Sequence, residues 1–327
     1  MQAQISIPYN TLQRLDQLLT RDQGAAFRVH SKETLPQCTD AYRAQEDPRR
    51  RHLGASVIGI DCARLIWYNF RWATIPQHEG RLLRLFNRGH LEEGRFIALL
   101  KMLGFEVWQH VNGEQIRVSS VNGHFGGSMD CVLRGLDEMP DTALLGEFKT
   151  HGDKSFVKMA GDNWDEHWRN PTAVAFTGEG VRHTKFEHYV QMQSYMGLAK
   201  LPSALYLAVN KNTDSIYAEV VSFDRAIFEA FQKRAWDIIF ASDPLPRIKE
   251  DRTWWKCKMC PLHGVCWDKV VPEKSCRTCE HARLGLEGSW ICVRGLPVGA
   301  KTPSDRELSE EAQREACSHY SLLPSMR

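Results

Sequence analysis

The sequence predicts an α/β core followed by a small metal-bound C-terminal module. Three observations carry this. The middle of the chain alternates helical and extended patterns in the order helix, strands, helix, hairpin, helix. Its 327 residues suffice for one large domain or two ordinary ones with ample core. Eight of its ten cysteines fall into spaced patterns, and beyond Cys257 the chain is cysteine-rich and irregular. In a reducing compartment, clustered thiols point to metal rather than disulfide.

Composition is that of an ordinary soluble protein, 43% hydrophobic and 25% charged, with a formal net charge of only +2. No apolar run approaches the roughly 18 residues of a membrane span. The N-terminus, MQAQISIPYNTLQRLDQLL, lacks a basic segment followed by an apolar one, so no signal peptide and a cytoplasmic location are expected. Charge is uneven: Arg49, Arg50 and Arg51 form a basic run, and SDRELSEEAQRE near the C-terminus is acidic at its centre. Each is read first as a solvated face.

The elements follow in order. Thr11 to Leu19 carries Leu12, Leu15, Leu18 and Leu19 on one helical face. Glu79 to Leu103 reads as one or two helices, with Gly104 as the stop. HFGGSMDCVL and TALLGEFKT read as strands joined by RGLDEMPD. A loop-rich insert is expected from His151 to about Thr184, and a helix over 185–199. SALYLAVN and SIYAEVVSF flank KNTD as a hairpin. DRAIFEAFQKRAWDIIFA is a helix with Asp224 as N-cap. The expected segments are an extension (1–53), a core (54–270) and a cysteine-rich module (271–327).

The most informative chemistry is acidic. Asp130 ends GGSMD, and GEFKT on the next strand holds Glu147 and Lys149. Alternation puts Glu147 and Lys149 on one face and Phe148 on the other. Two carboxylates and a backbone carbonyl make a hard oxygen site for Mg²⁺ or Mn²⁺, and a lysine beside it orients water or stabilises phosphate charge. Alone, E-x-K on a strand is more often an exposed ion pair. Its company weighs against that: Gly127 and Asp130 form G-x2-D, and Gln191 and Tyr195 lie on the following helix.

In this order the motifs resemble those of the PD-(D/E)xK nuclease superfamily, and most nearly its RecB-type and lambda-exonuclease-like (YqaJ) branches. The resemblance spans roughly residues 54–266. It implies a restriction-endonuclease-like core, a central mixed sheet flanked by helices, and metal-dependent hydrolysis of DNA. Asp130, Glu147 and the Phe148 carbonyl would hold one ion, with Glu93 or His90 of RGHLEEGRF assisting a first or second. Lys149 would position the attacking water. Gln191 of HYVQMQSYM would hold Lys149 or the DNA backbone, with Gln193 its close competitor for that role. Taken singly, His90 also reads as a packing residue, Glu93 as a solvated acid and Gln191 as a cap on a buried backbone group.

WWKCKMCPLHGVCW holds Cys257, Cys260 and Cys266 in C-x2-C-x5-C spacing, one ligand short of the usual four. That trio and Cys62 of GASVIGIDCARLIWYNFRW, which leads C-x-R-x2-W-Y, resemble the cysteines of AddB-like and CRISPR-adaptation nucleases. There one upstream and three downstream thiolates bind a 4Fe-4S cluster. Zn²⁺ also accepts four cysteines, and Cys276 is the local alternative to Cys62. Further on, Cys276 and Cys279 form a C-x2-C knuckle, with Cys292 and Cys317 beyond and His281 and His319 as substitutes, a pattern for structural Zn²⁺. Cys38 and Cys131 are left unassigned, Cys131 reading as core.

Nucleic-acid contacts are expected where basic and aromatic residues interleave. In the insert these are Lys154, Lys158, Trp164 and Trp168; Arg64, Trp67, Tyr68, Arg71 and Trp72 read first as core. The expectation is thus a DNA exonuclease of the compact kind that bacteriophages carry, serving recombination or end-processing beside a recombination or single-strand-annealing protein. A structure-specific endonuclease and a non-catalytic, metal-stapled DNA-binding or assembly module are the alternatives. A C-x2-C redox protein is weaker still.

Overall fold

The computed structural model describes residues 5–42, 46–296 and 306–327. The chain forms two compact units, each discontinuous in sequence. The first comprises Met1–Glu46, His78–Val118 and Ser128–Phe228; the second comprises Asp47–Gln77, Ser119–Gly127 and Glu229–Arg327. The boundary of the expected core at 54–270 therefore does not coincide with that of either unit.

The first unit is built on a mixed five-stranded sheet: β1 (Glu106–Trp108), β2 (Cys131–Arg134), β3 (Leu144–His151), β4 (Ser203–Asn210) and β5 (Ile216–Ser222), in the order β5-β4-β3-β2-β1. Only β3 and β4 run parallel; the other pairs are antiparallel. Central β3 and β4 are buried along most of their length, as strands covered on both faces are. Helices flank the sheet. Phe148 points to the long helix Gly80–Met102, where its ring stacks on Phe96 with centroids 5.2 Å apart. Its neighbours Glu147 and Lys149 alternate to the face that holds the helix Phe186–Ala199. This central mixed sheet between helices is the restriction-endonuclease-like layout the sequence predicts.

The long helix is one element, not two. No proline interrupts it, and Phe96, Ile97, Leu100 and Met102 bury its C-terminal half. It stops at Gly104, which takes φ +81, a conformation costly for a residue with a Cβ. Arg14 Nη1 donates to the freed Leu103 carbonyl at 2.7 Å. The hairpin also forms as expected, with Val209 opposite Ile216 and Ser203 opposite Ser222. Asp224 Oδ1 accepts the Ile227 N–H at 3.2 Å, an N-cap contact.

Two expectations need correction. HFGGSMDCVL is not one strand: Phe125–Ser128 and Cys131–Arg134 belong to different sheets, and the pairing breaks at Met129 and Asp130. Residues 151–184 are not mainly loop, for they hold the helices Asp153–Ala160, Trp164–Arg169 and Gly180–Thr184.

In the second unit the Arg277 guanidinium, 1% exposed, lies 3.8 Å from the Trp72 ring centroid and 5.0 Å from that of Trp290. It donates to Gln313 Oε1 (3.0 Å), the Phe70 carbonyl (3.2 Å) and the Arg51 carbonyl (2.7 Å). Burial holds its pKa down to about 9, and the nearby Arg71 charge adds to the effect. The basic run and the acidic C-terminal run meet in this unit. Asp47 pairs with Arg49 (2.6 Å) and Arg314 (2.8 Å), and Arg51 pairs with Glu310. A short antiparallel sheet, Ala282–Leu284, Trp290–Cys292 and Glu307–Leu308, completes it.

Candidate active site

The break after Ser128 leaves Asp130 outside the ladder, and its Oδ2 accepts the Phe148 N–H at 2.8 Å. One bond therefore ties the G-x2-D segment to the middle of E-x-K. Glu147, 0% exposed, lies opposite Tyr206 in the β3–β4 register. Its Oε1 takes the Lys149 ammonium, which also donates to the Phe148 carbonyl at 3.1 Å. The ammonium thus spans two of the oxygens expected around a cation. The other Glu147 oxygen, Oε2, is buried and has no hydrogen-bond partner among the described residues.

Glu93 of the long helix faces the same charges, interacting with Asp130, Lys149 and Glu147. Burial first, then Asp130, pushes its pKa up to about 8. Burial likewise pushes Glu147 up to about 7; Lys149 opposes the shift and Asp130 adds to it. Asp130 is raised too, again chiefly by burial. Three carboxyls compete for one ammonium, which itself is held above its ordinary value despite burial because Glu147, Asp130 and Glu93 surround it. His90, one turn before Glu93, has Nδ1 3.8 Å from Glu93 Oε1 and 3.2 Å from Thr39 Oγ1, and it acts on Asp130.

Between the two glutamines the structure favours one. Gln193 is taken up by backbone, donating to the Ser222 carbonyl (3.0 Å) and accepting the Asp224 N–H (2.7 Å). Gln191 instead hydrogen-bonds the Tyr195 hydroxyl, and Tyr195 feels the charges of Glu147 and Asp130.

Sequence reasoning missed a neighbouring group. His151 continues the Glu147–Lys149 face of β3, and His188 precedes Gln191 by three residues on its helix. The buried Tyr206 hydroxyl lies 2.8 Å from His151 Nε2 and 2.9 Å from His188 Nδ1. A hydroxyl has one proton, so it donates to one ring and accepts from the other. Burial, then Lys185, Lys149 and Lys211, push His151 down to about 4; His188 is lowered further. With Lys185, Lys149 and Glu93 the two rings line a cavity of about 330 Å³. The strand alternation and the helical spacing were available signals for both histidines. Tyr206 had none, because its place depends on the register of two strands far apart in sequence.

The expected tryptophan contacts are corrected. Trp164, 2% exposed, donates its indole N–H to the Ile216 carbonyl (2.8 Å) and packs on Tyr217, 4.8 Å between centroids. Trp168, 6% exposed, donates to Asp165 Oδ1 at 3.2 Å. Neither ring offers a face to a base. Lys154 and Lys158 are exposed, with Lys158 Nζ 3.7 Å from Glu179.

The cysteines gather in two groups, both inside the second unit. Cys62, Cys266 and Cys257 are electrostatic neighbours of Cys260. Cys62 leads the helix Ala63–Phe70, and Arg247 anchors the trio by donating to the Cys266 carbonyl at 2.8 Å. Cys276 lies instead with Cys279, Cys317 and Cys292. Trp67, Tyr68, Arg71 and Trp72 are buried, and Cys131 is fully so. Among the described residues, no group of three or more His, Cys, Asp or Glu side chains stands close enough together to hold a metal ion as placed.

No family model and no curated protein matches the chain. Solved structures resemble it only loosely. An alkaline exonuclease from Laribacter hongkongensis, LHK-Exo, matches 58% of this chain and 87% of its own, at 13% identity and TM-score 0.37. LHK-Exo in complex with dAMP covers the same shares at 13% identity and TM-score 0.36. SSO0001 matches 76% of this chain and 98% of its own, at 15% identity and TM-score 0.37. Likeness at this level carries no activity across.

Proposed function

We propose that the protein is a metal-dependent DNA nuclease that hydrolyses phosphodiester bonds, an exonuclease serving DNA end-processing or recombination. The observation that carries this reading is the convergence of Asp130, Glu147 and Glu93 on Lys149, with Glu147 Oε2 buried and unpartnered. Carboxyls crowded this way favour a divalent cation over a single ammonium. The donors suit Mg²⁺ or Mn²⁺, with Asp130, Glu147, the Phe148 carbonyl and Glu93 as ligands and His90 assisting. Bound there, such an ion supplies Lewis-acid stabilisation of charge building on a phosphate.

The chain's own groups do the rest. Lys149, drawn off the Phe148 carbonyl, directs an attacking water and balances charge on the phosphate. Gln191, bonded to Tyr195 beside the Glu147 and Asp130 charges, would hold Lys149 or the DNA backbone. Lys185, Lys154 and Lys158 take DNA backbone phosphates, contacts that carry no sequence information themselves. Cys62, Cys257, Cys260 and Cys266 suit a 4Fe-4S cluster or Zn²⁺, a donor set of thiols only. A recombination or single-strand-annealing protein is the partner such an activity would serve.

The test is cleavage of end-labelled linear and covalently closed circular DNA with Mg²⁺, Mn²⁺ or chelator. Release of mononucleotides from linear substrate alone is expected, lost in Glu147→Gln and Lys149→Ala. Cleavage of the circle would transfer the reading to an endonuclease. Undiminished cleavage by both variants would remove the site assignment. A brown anaerobic preparation would favour the iron–sulfur cluster, and a colourless one Zn²⁺.

A further inference from the structure

The second cysteine group belongs to the second unit, and three chain segments bring its thiols near one another. Cys276 opens a 3₁₀ turn, Cys276–Thr278, held by a reciprocal capping box between Ser275 and Thr278. The Cys279 N–H returns to the Cys276 carbonyl at 3.0 Å, so the C-x2-C pair straddles one tight turn. Cys292 lies opposite Ala282 in antiparallel register, and the Ala282 N–H bonds the Cys279 carbonyl at 3.2 Å. Cys317 follows the helix Glu310–Glu315. The Cys276 thiol donates to the Ala312 carbonyl of that helix at 3.2 Å. Beyond Cys317, Tyr320 bonds its carbonyl at 3.1 Å and reaches Thr278 Oγ1 at 3.0 Å. Cys279, Cys317 and Cys292 are the neighbouring charges that Cys276 feels.

We propose that Cys276, Cys279, Cys292 and Cys317 form a structural zinc site, separate from the Cys62 group. One knuckle and two distant single ligands, all sulfur, suit a closed tetrahedral Zn²⁺ site with no open position. The region has need of one. Its sheet is three strands of 3, 3 and 2 residues, short for independent stability. Ligation closes the chain from the knuckle to both the strand and the far helix, so metal affinity becomes folding energy. On binding, the Cys276 thiol gives up its bond to the Ala312 carbonyl. Four S–H protons pass to solvent and four thiolates bind Zn²⁺, with no change in oxidation state.

The test is differential alkylation of the native full-length protein, purified anaerobically, with each cysteine read by mass spectrometry before and after a zinc chelator. The expected result is protection of Cys276, Cys279, Cys292 and Cys317 that is lost together as zinc is released. Cys317 is decisive, because its thiol is exposed and nothing but ligation would shield it. In a second arm, Cys292→Ser should lose one zinc per chain while the Cys62 group keeps its metal. Immediate alkylation of Cys317 in zinc-replete protein, or full zinc content in Cys292→Ser, would overturn the proposal. If Cys292→Ser does not fold, the wild-type protection pattern decides alone.

Discussion

Burial gives Glu147 one oxygen on Lys149 and another with no hydrogen-bond partner, while Asp130 and Glu93 compete for the same ammonium. Glu147→Gln keeps the volume and removes one of three like charges. Cleavage should fall at least about 100-fold, as when a residue stabilising transition-state charge is lost. The metal-free thermal midpoint should hold or rise, because repulsion goes with the charge; a large drop would make Glu147 mainly structural. His151 gives a pH signature. Its pKa of about 4 in the folded protein lies below the unfolded value of about 6.5. A depressed histidine contributes stability above the unfolded pKa, lost as pH falls toward the folded one. Between pH 6.5 and 4 that amounts to about 3 kcal/mol. The gap between urea midpoints at neutral pH and near pH 4.5 should therefore narrow in His151→Gln, with the depressed His188 supplying the remainder. An unchanged pH slope in the variant would assign the acid sensitivity to other groups.

At the scale of the element, β3 is held between an antiparallel and a parallel neighbour, and Gly146 leaves room for the Cys131 side chain of the antiparallel one. It lies opposite Cys131, and a Cβ there would run into the Cys131 sulfur and press on Leu133. Gly146→Ala should therefore cost about 1–3 kcal/mol, the usual penalty for overpacking. It should also lower cleavage, because Glu147 and the Asp130 bond to Phe148 shift with the strand. Adding Cys131→Ala should restore part of both; a double variant no better than the single one would place the strain elsewhere. Strand alternation told in advance that Glu147 and Lys149 share a face, and the apolar run told where the long helix lies. Two features were not legible. The break at Asp130 depends on which sheet each half joins. The insert's tryptophans, set among glycines and polar residues, read as a loop until Ile216 and Tyr217 supply the partners that bury Trp164.

At the scale of the whole molecule, a cation that binds only the folded carboxylate site must stabilise the protein. Mn²⁺ at about 100 times its Kd adds about 2.7 kcal/mol. The thermal midpoint should rise with Mn²⁺ in the wild type and barely move in Glu147→Gln. Equal shifts in both would mean the ion binds elsewhere. The sequence by itself determined the local facts: alternation on β3, the extent of the long helix, the hairpin and the spacing of the cysteines. These depend on periodicity and turn chemistry, which act over a few residues. Tertiary structure decided that Cys62 rather than Cys276 neighbours the Cys257 trio, that Gln193 is taken up by backbone while Gln191 bonds Tyr195, and that Tyr206 bridges two histidines beside Lys149. Each of these depends on segments dozens to hundreds of residues apart, brought together by burial and sheet register. No local pattern encodes such a meeting.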